Sequence, residues 1–161
     1  MLNLYKRIAA WSLRRQGVRG LDLGKRLQAR IALEQLGSRI VPSASPVFLG
    51  DAGKLFINGT SGNDTVAVSL NAGNSQVGVA FNGSQFTFGA AGVSKIIFHG
   101  EGGNDSFVNN TGIASEAEGG SGNDTLSGGS GNDTMSGGTG DDRVHGRGGN
   151  DLLRGDDGND S

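Results

Sequence analysis

Five aspartates recur at intervals of nine residues near the C-terminal end of the sequence: Asp124, Asp133, Asp142, Asp151 and Asp160. Carboxylates that a repeating fold stacks on one another repel, and they cannot all stay ionised without a counter-charge. A hard divalent cation supplies that charge, and calcium takes about six to eight oxygen ligands from carboxylates and backbone carbonyls. The residue type and the spacing therefore predict cation binding by stacked aspartates.

Each aspartate is the sixth residue of a nine-residue unit, and the unit at 119–127 reads GGSGNDTLS. Its Gly, Asn and Asp residues favour a turn, whereas its last three residues alternate as in a short half-buried strand. Two units then make one flattened coil, and every second unit stacks as a parallel strand about 4.8 Å away. This stacking pairs Asp124 with Asp142, Asp133 with Asp151 and Asp142 with Asp160. The apolar residues predicted to point inward are Leu126, Met135, Val144 and Leu153.

The unit resembles the RTX, or haemolysin-type, calcium-binding repeat, GGxGxDxUx, over residues 119–161. The resemblance implies an all-β fold, a parallel β-roll or β-solenoid that is disordered without calcium and folds when calcium arrives outside the cell. It also implies that Ca²⁺ is the bound ion and that the five aspartates are its side-chain ligands. The additional ligands that it implies are the backbone carbonyls of Gly120, Gly122, Gly129, Gly131, Gly138 and Gly140.

A local interpretation of each Asn-Asp pair stays open, since these side chains also stabilise turns through hydrogen bonds to nearby backbone. The strict register of five aspartates favours the cation. Two copies depart from the pattern, with Arg147 and Asp156 at the second place instead of Gly. A positive φ at this place would strain a non-Gly residue by about 1 kcal/mol or more. The cation of Arg147 would also oppose calcium nearby. Because every second unit stacks, the five aspartates form only three pairs, so the sequence predicts at most three sites.

Two fainter copies of the unit lie upstream, GTSGNDTVA at 59–67 and GEGGNDSFV at 100–108. Both keep the Gly-Asn-Asp turn and an inward apolar residue. They are isolated, so nothing in the sequence guarantees a second aspartate stacked on theirs. Asp64 and Asp105 are therefore predicted to be turn residues and not calcium ligands.

Residues 46–118 contain short β-branched or aromatic runs separated by Gly, Asn and Ser clusters, which predicts a β region that caps the roll. Asn82-Gly83 is predicted to form a hairpin turn. The predicted strands are Lys54–Asn58, Thr65–Leu70, 76–82, 85–88, Lys95–His99 and 106–108.

Residues 1–45 are predicted to be a basic export leader, helical over about 25–36 and otherwise disordered. Gly37 would end the helix. The segment resembles the N-terminal leader of planctomycete surface proteins, which implies export. The matching residues are Leu33, Glu34, Leu36, Arg39, Val41 and Pro42.

Charge and motifs exclude several functional classes. Residues 51–161 carry fourteen Asp or Glu against five Lys or Arg, which argues against nucleic acid. No apolar run reaches the roughly 18 residues of a transmembrane segment. The sequence has no Cys, HExxH or GxSxG, which predicts that the protein is not an enzyme.

The predicted function is therefore calcium binding by an exported roll, a structural or adhesive module outside the cell or at its surface. Its expected partners are calcium ions and components of the cell surface or extracellular matrix. The sequence stops in mid-repeat, so the predicted roll is truncated at its C-terminus. The alternative is an N-terminal fragment of a larger secreted protease, lipase or polysaccharide-modifying enzyme.

Overall fold

A computed structural model describes residues 45–161 of the chain. The predicted leader and the predicted helix at 25–36 lie outside the described residues. Within 45–161, no helix has the length and the apolar character needed to cross a bilayer.

The described residues form twelve strands in two six-stranded sheets, which confirms the all-β prediction. The first sheet has the order β1-β2-β6-β8-β10-β12, with strands at Val47–Leu49, Lys54–Asn58, Lys95–His99, Ser115–Ser121, Thr134–Thr139 and Leu152–Asp157. The second sheet has the order β11-β9-β7-β3-β4-β5, with strands at Arg143–His145, Thr125–Ser127, Ser106–Asn110, Thr65–Leu70, Gln76–Phe81 and Ser84–Gly89.

The repeats coil with the predicted period of two units. Thr134 of β10 pairs in parallel with Leu152 of β12, and Thr125 of β9 pairs in parallel with Arg143 of β11. Successive units thus alternate between the sheets, and every second unit stacks in the same sheet. The arrangement is the predicted parallel β-roll.

The β region before the repeats contributes strands to the same two sheets. Its strand β6 pairs in parallel with β8, and β7 pairs in parallel with β9. Between β3 and β6 the chain makes an antiparallel hairpin, β4–β5, whose turn residues Asn82 and Gly83 have φ angles of 46° and 79°. Two positive φ angles are what a tight hairpin turn requires, so the predicted turn is confirmed. The sequence did not predict β1 or β8.

Side chains from both sheets meet in one core. The rings of Phe98 in β6 and Phe107 in β7 stack with their centroids 5.0 Å apart. Leu126 and Met135 are buried as predicted, at 0% and 1% exposure. Leu153 is 41% exposed, contrary to the prediction, because it lies on β12, the last strand in the order of the first sheet.

Candidate metal centre

Six-residue segments, which we call turns although some of their residues also belong to strands, connect the sheets and stack along two edges of the roll. What we call the five-turn edge consists of turns 59–64, 100–105, 119–124, 137–142 and 155–160. The three-turn edge consists of turns 110–115, 128–133 and 146–151.

The aspartates of the five-turn edge form a continuous hydrogen-bonded ladder. The backbone N–H of Asp64 donates to Oδ1 of Asp105 at 2.8 Å, and that of Asp105 donates to Oδ1 of Asp124 at 2.7 Å. The same bond joins Asp124 to Asp142 at 2.7 Å and Asp142 to Asp160 at 2.9 Å. The structure thus brings together two predicted pairs, and one carboxylate oxygen of each later aspartate is used to hold the coils in register.

The fifth residues of the turns form a second ladder, in which the later residue donates its N–H to the earlier one. The N–H of Asn123 donates to Oδ1 of Asn104 at 2.9 Å, and the N–H of Asp141 donates to Oδ1 of Asn123 at 3.0 Å. These bonds join residues 19 and 18 positions apart. The Asn-Asp pairs therefore connect neighbouring coils, which the local interpretation did not predict.

Three carboxylates of the five-turn edge each keep one buried oxygen without a partner. Among the described residues, the buried side-chain atoms that lack a hydrogen bond are Oδ2 of Asp105, Asp124 and Asp142. These side chains are only 3%, 1% and 2% exposed, respectively. Burying a polar atom without a partner is costly, and burying a charge without one is far more so. These three carboxylates therefore need a bound cation or a proton to offset the cost of burial.

The pKa values of this row show the same deficit. The pKa of Asp105 is raised to about 6, mainly by burial; the hydrogen bond from Asp64 opposes this rise, and the charges of Asp124 and Asp64 add to it. Burial also raises the pKa of Asp124, and the charge of Asp142 adds to the effect. Without a counter-charge, the fold thus disfavours the ionised form of both groups.

Glycines at the first place of each turn allow these oxygens to pack closely against the backbone. A Cβ added to Gly119 would overlap both Oδ2 of Asp124 and the carbonyl oxygen of Gly137. A Cβ added to Gly100 would overlap Oδ2 of Asp105 and the carbonyl oxygen of Gly119 in the same way. A carboxylate oxygen and a backbone carbonyl thus lie close together, and both are ligand types that calcium prefers. The sequence did not predict a role for the first-place carbonyls.

The glycines predicted as carbonyl ligands on this edge supply the turn conformation. Gly120, Gly122, Gly138 and Gly140 all have positive φ, between 108° and 126°. The carbonyl oxygens of Gly120 and Gly122 lie against Gly138 and Gly140 of the next coil. In residues 45–161, no three acidic or His side chains are grouped to hold a metal. A cation at this edge therefore depends on backbone carbonyls as well as on aspartates.

The three-turn edge satisfies its buried aspartate with protein donors. Oδ1 of Asp133 accepts from the N–H and the hydroxyl of Ser115, at 2.6 and 2.7 Å, and Oδ2 accepts from the N–H of Gly129 at 2.9 Å. Neither Gly129 nor Gly131 has a positive φ, unlike the glycines at these places in the turns 119–124 and 137–142. The N–H of Asp133 donates to Oδ1 of Asp151 at 2.9 Å, so this predicted pair also meets.

Arg147 has the predicted strained backbone, with φ at 67°. Its guanidinium donates to the carbonyl of Asn109 at 3.3 Å and to Oδ1 of Asn110 at 3.1 Å. Its positive charge therefore lies beside turn 110–115 of the three-turn edge, two turns before its own turn, 146–151. Asp156, at the second place on the other edge, has a φ of 71°.

The upstream aspartates belong to the ladder, which sequence reasoning missed. Asp64 and Asp105 are 41 residues apart, and Asp105 and Asp124 are 19 apart, whereas the later steps span 18. The hairpin β4–β5 lies within the longer interval and hides the coil period. The signal that could have revealed it is the Gly-Asn-Asp turn followed by a core residue, Val66 or Phe107, both buried.

Asp64 nevertheless differs from the other aspartates of the five-turn edge. Its Oδ2 accepts from the N–H and the hydroxyl of Thr60, at 2.6 and 3.1 Å, and its Oδ1 accepts from Nδ2 of Asn82 at 2.5 Å. Both oxygens of Asp64 are thus satisfied by protein donors.

Comparison with protein families gives a match in this part of the chain. The model of the RTX calcium-binding nonapeptide repeat, described with four copies, matches residues 117–144 and 127–161. Comparisons with curated proteins and with solved structures give no match. RTX nonapeptide repeats bind Ca²⁺, and the oxygen donors of the five-turn edge fit that ion. Residues 117–161 are therefore RTX calcium-binding nonapeptide repeats, and they form a calcium-binding β-roll.

Proposed function

We propose that this protein is an exported, non-enzymatic structural or adhesive module whose roll folds on binding calcium outside the cell. The observation that carries the proposal is the row of buried Oδ2 atoms on Asp105, Asp124 and Asp142, which lack partners in the described part of the chain.

The chain's own residues explain the dependence on calcium. Stacking the coils buries neighbouring carboxylates, and the raised pKa of Asp105 and of Asp124 reports the cost of keeping them ionised. Calcium, when bound, supplies the counter-charge that these oxygens lack. Metal binding at ligands that only the folded chain assembles contributes directly to folding. Calcium-binding modules outside the cell typically have dissociation constants of about 10⁻⁴–10⁻³ M, and we expect this range.

A structural role is supported by how the coils are joined. The Asp and Asn ladders bond each turn of the five-turn edge to the next, so that the folded roll is a continuous array. Such an array suits a spacer or an adhesive surface that contacts components of the cell surface or extracellular matrix. The export and the adhesive contact are the parts of the proposal that rest on the implied leader and the repeat type.

Circular dichroism and calorimetry of the full-length chain test the calcium step. We expect a β spectrum in millimolar calcium and its loss in chelator, with millimolar magnesium as the control that does not restore it. An unchanged spectrum together with no heat of calcium binding would overturn the proposal.

The location is tested separately in the organism that makes the protein. An antibody against the roll should detect it in the cell-surface or secreted fraction, and chelator should reduce cell adhesion that depends on it. Detection only inside the cell would contradict export.

A further inference from the structure

We infer that the row of cation sites extends one coil upstream of the matched repeats, to a site formed by Oδ2 of Asp105 and the carbonyl oxygen of Gly119. The identity of the ion, calcium, rests on the proposed function. The position of the site rests on Asp105 itself, which lies outside residues 117–161 matched as repeats.

The buried carboxylate of Asp105 has one oxygen committed and one left over. Oδ1 accepts the N–H of Asp64 at 2.8 Å. Oδ2 has no partner among residues 45–161, although the side chain is only 3% exposed. This atom and the carbonyl oxygen of Gly119 would both overlap a Cβ on Gly100, so both pack against this glycine. The unpartnered oxygen therefore lies close to a second oxygen atom, and a cation bound by both would supply the missing counter-charge.

The turn that holds Asp105 has the backbone conformation of the repeat turn that follows. Glu101 and Gly103 have φ angles of 74° and 103°. Gly120 and Gly122, at the same places in turn 119–124, have φ angles of 108° and 120°. Glu101 adopts this strained conformation although it is not Gly, which shows that the fold imposes the turn geometry here. The surroundings of Asp105 are also negatively charged, because Asp64 and Asp124 lie one coil away on either side.

The next turn upstream lacks these features, so the row ends at Asp105. In turn 59–64 neither Thr60 nor Gly62 has a positive φ. Both oxygens of Asp64 already accept hydrogen bonds, from Thr60 and Asn82. Two aspartates of the same short motif, both buried, therefore differ in their need for a cation, and Asp64 is the matched control for Asp105.

The test compares Asp105→Asn with Asp64→Asn in the full-length chain. Asparagine keeps Oδ1 as an acceptor for the ladder and removes the charged Oδ2. Calcium stoichiometry is measured by native mass spectrometry and titration calorimetry. We expect Asp105→Asn to bind one ion fewer than the wild type and Asp64→Asn to bind the same number. Asp124→Asn, within the matched repeats, is the positive control and should also lose an ion.

Unchanged stoichiometry for Asp105→Asn, with a loss for Asp124→Asn, would overturn the upstream site and leave the proposed function intact. If the wild type bound no calcium, the proposed function itself would fall. Should Asp105→Asn not fold, a crystal structure of the wild type grown with calcium decides the question. Density about 2.3–2.6 Å from both Asp105 Oδ2 and Gly119 O is expected; ions at the later turns without one here would overturn the inference.

Discussion

The backbone N–H of Asp105 donates a 2.7 Å hydrogen bond to Oδ1 of Asp124, across 19 residues of sequence. Oδ2 of Asp124 has no such bond within the described residues. The two oxygens of this carboxylate therefore have separate roles: Oδ1 sets the register of neighbouring coils, and Oδ2 remains for a cation. This division explains why an aspartate can be essential both to the fold and to calcium binding.

The metal-free roll should become less stable as the pH rises from about 4 to 7. The pKa of Asp105 is raised from 3.8 to about 6 by burial and by its acidic neighbours. A raised carboxyl pKa means that the folded state holds its proton more tightly, so the stabilisation is present below pH 4 and is lost as the pH passes 6. The expected loss from Asp105 is on the order of 2 kcal/mol. The β signal in chelator, recorded by circular dichroism from pH 4 to 7, measures it, and we expect this signal to fall as the pH rises.

Saturating calcium should reverse that slope, because protons compete with the ion for the carboxylates. Asp105→Asn removes the titrating group and should flatten the metal-free pH profile. A metal-free roll that gained stability between pH 4 and 7 would contradict the raised pKa.

Gly119→Ala should both weaken calcium binding and destabilise the roll. The new Cβ would overlap Oδ2 of Asp124 and the carbonyl oxygen of Gly137, the two donors that flank the candidate site. The control is Gly89→Ala, because a Cβ on Gly89 meets no atom within 4 Å and its φ is −64°. Such a substitution typically stabilises by about 0.4–1 kcal/mol. Calcium calorimetry and thermal unfolding distinguish the variants, and equal affinities would argue against a site beside Gly119.

Asp133→Ala should destabilise the roll through lost hydrogen bonds. It leaves the N–H and hydroxyl of Ser115 and the N–H of Gly129 without their acceptor. Unsatisfied buried donors cost about 1–3 kcal/mol each, so we expect a total of about 3 kcal/mol or more in urea unfolding with calcium present. Asp157→Ala changes an exposed residue and should alter stability by less than about 0.5 kcal/mol.

Calcium stoichiometry of Asp133→Ala tests its predicted role as a ligand at the same time. A loss of stability without a lost ion would mean that Asp133 acts only through its hydrogen bonds. A stability equal to that of the wild type would contradict the bonding described for the three-turn edge.

The sequence predicted the parts of the fold that depend on a regular period. Stacking of every second unit, the pairing of Asp124 with Asp142 and the strain at Arg147 all follow from turn chemistry and strand alternation. The upstream coils could not be predicted this way, because the spacing from Asp64 to Asp105 includes a hairpin and shows no period. Their membership in the ladder depends on pairing between distant strands, which local patterns do not encode.

The difference between the two edges was also beyond the sequence pattern. Asp124 and Asp133 occupy identical places in nearly identical units. What distinguishes them is the backbone conformation of the turn: the N–H of Gly129 donates to Oδ2 of Asp133, whereas Gly120, at the same place before Asp124, has a φ of 108°, and Oδ2 of Asp124 has no partner within the described residues. Nearly identical residues thus adopt two turn conformations, and the conformation decides whether the aspartate keeps a free oxygen.

Position along the roll predicts unequal effects for Leu126→Ala and Leu153→Ala. Both leucines occupy the eighth place of a unit, but Leu126 is fully buried and Leu153 is 41% exposed. Removing a buried leucine side chain costs the transfer free energy and leaves a cavity, about 2–5 kcal/mol in total. At Leu153 much of that surface is already in water, so we expect about 1 kcal/mol or less. Urea unfolding in saturating calcium measures both free energies, and similar losses would mean that Leu153 is covered in solution.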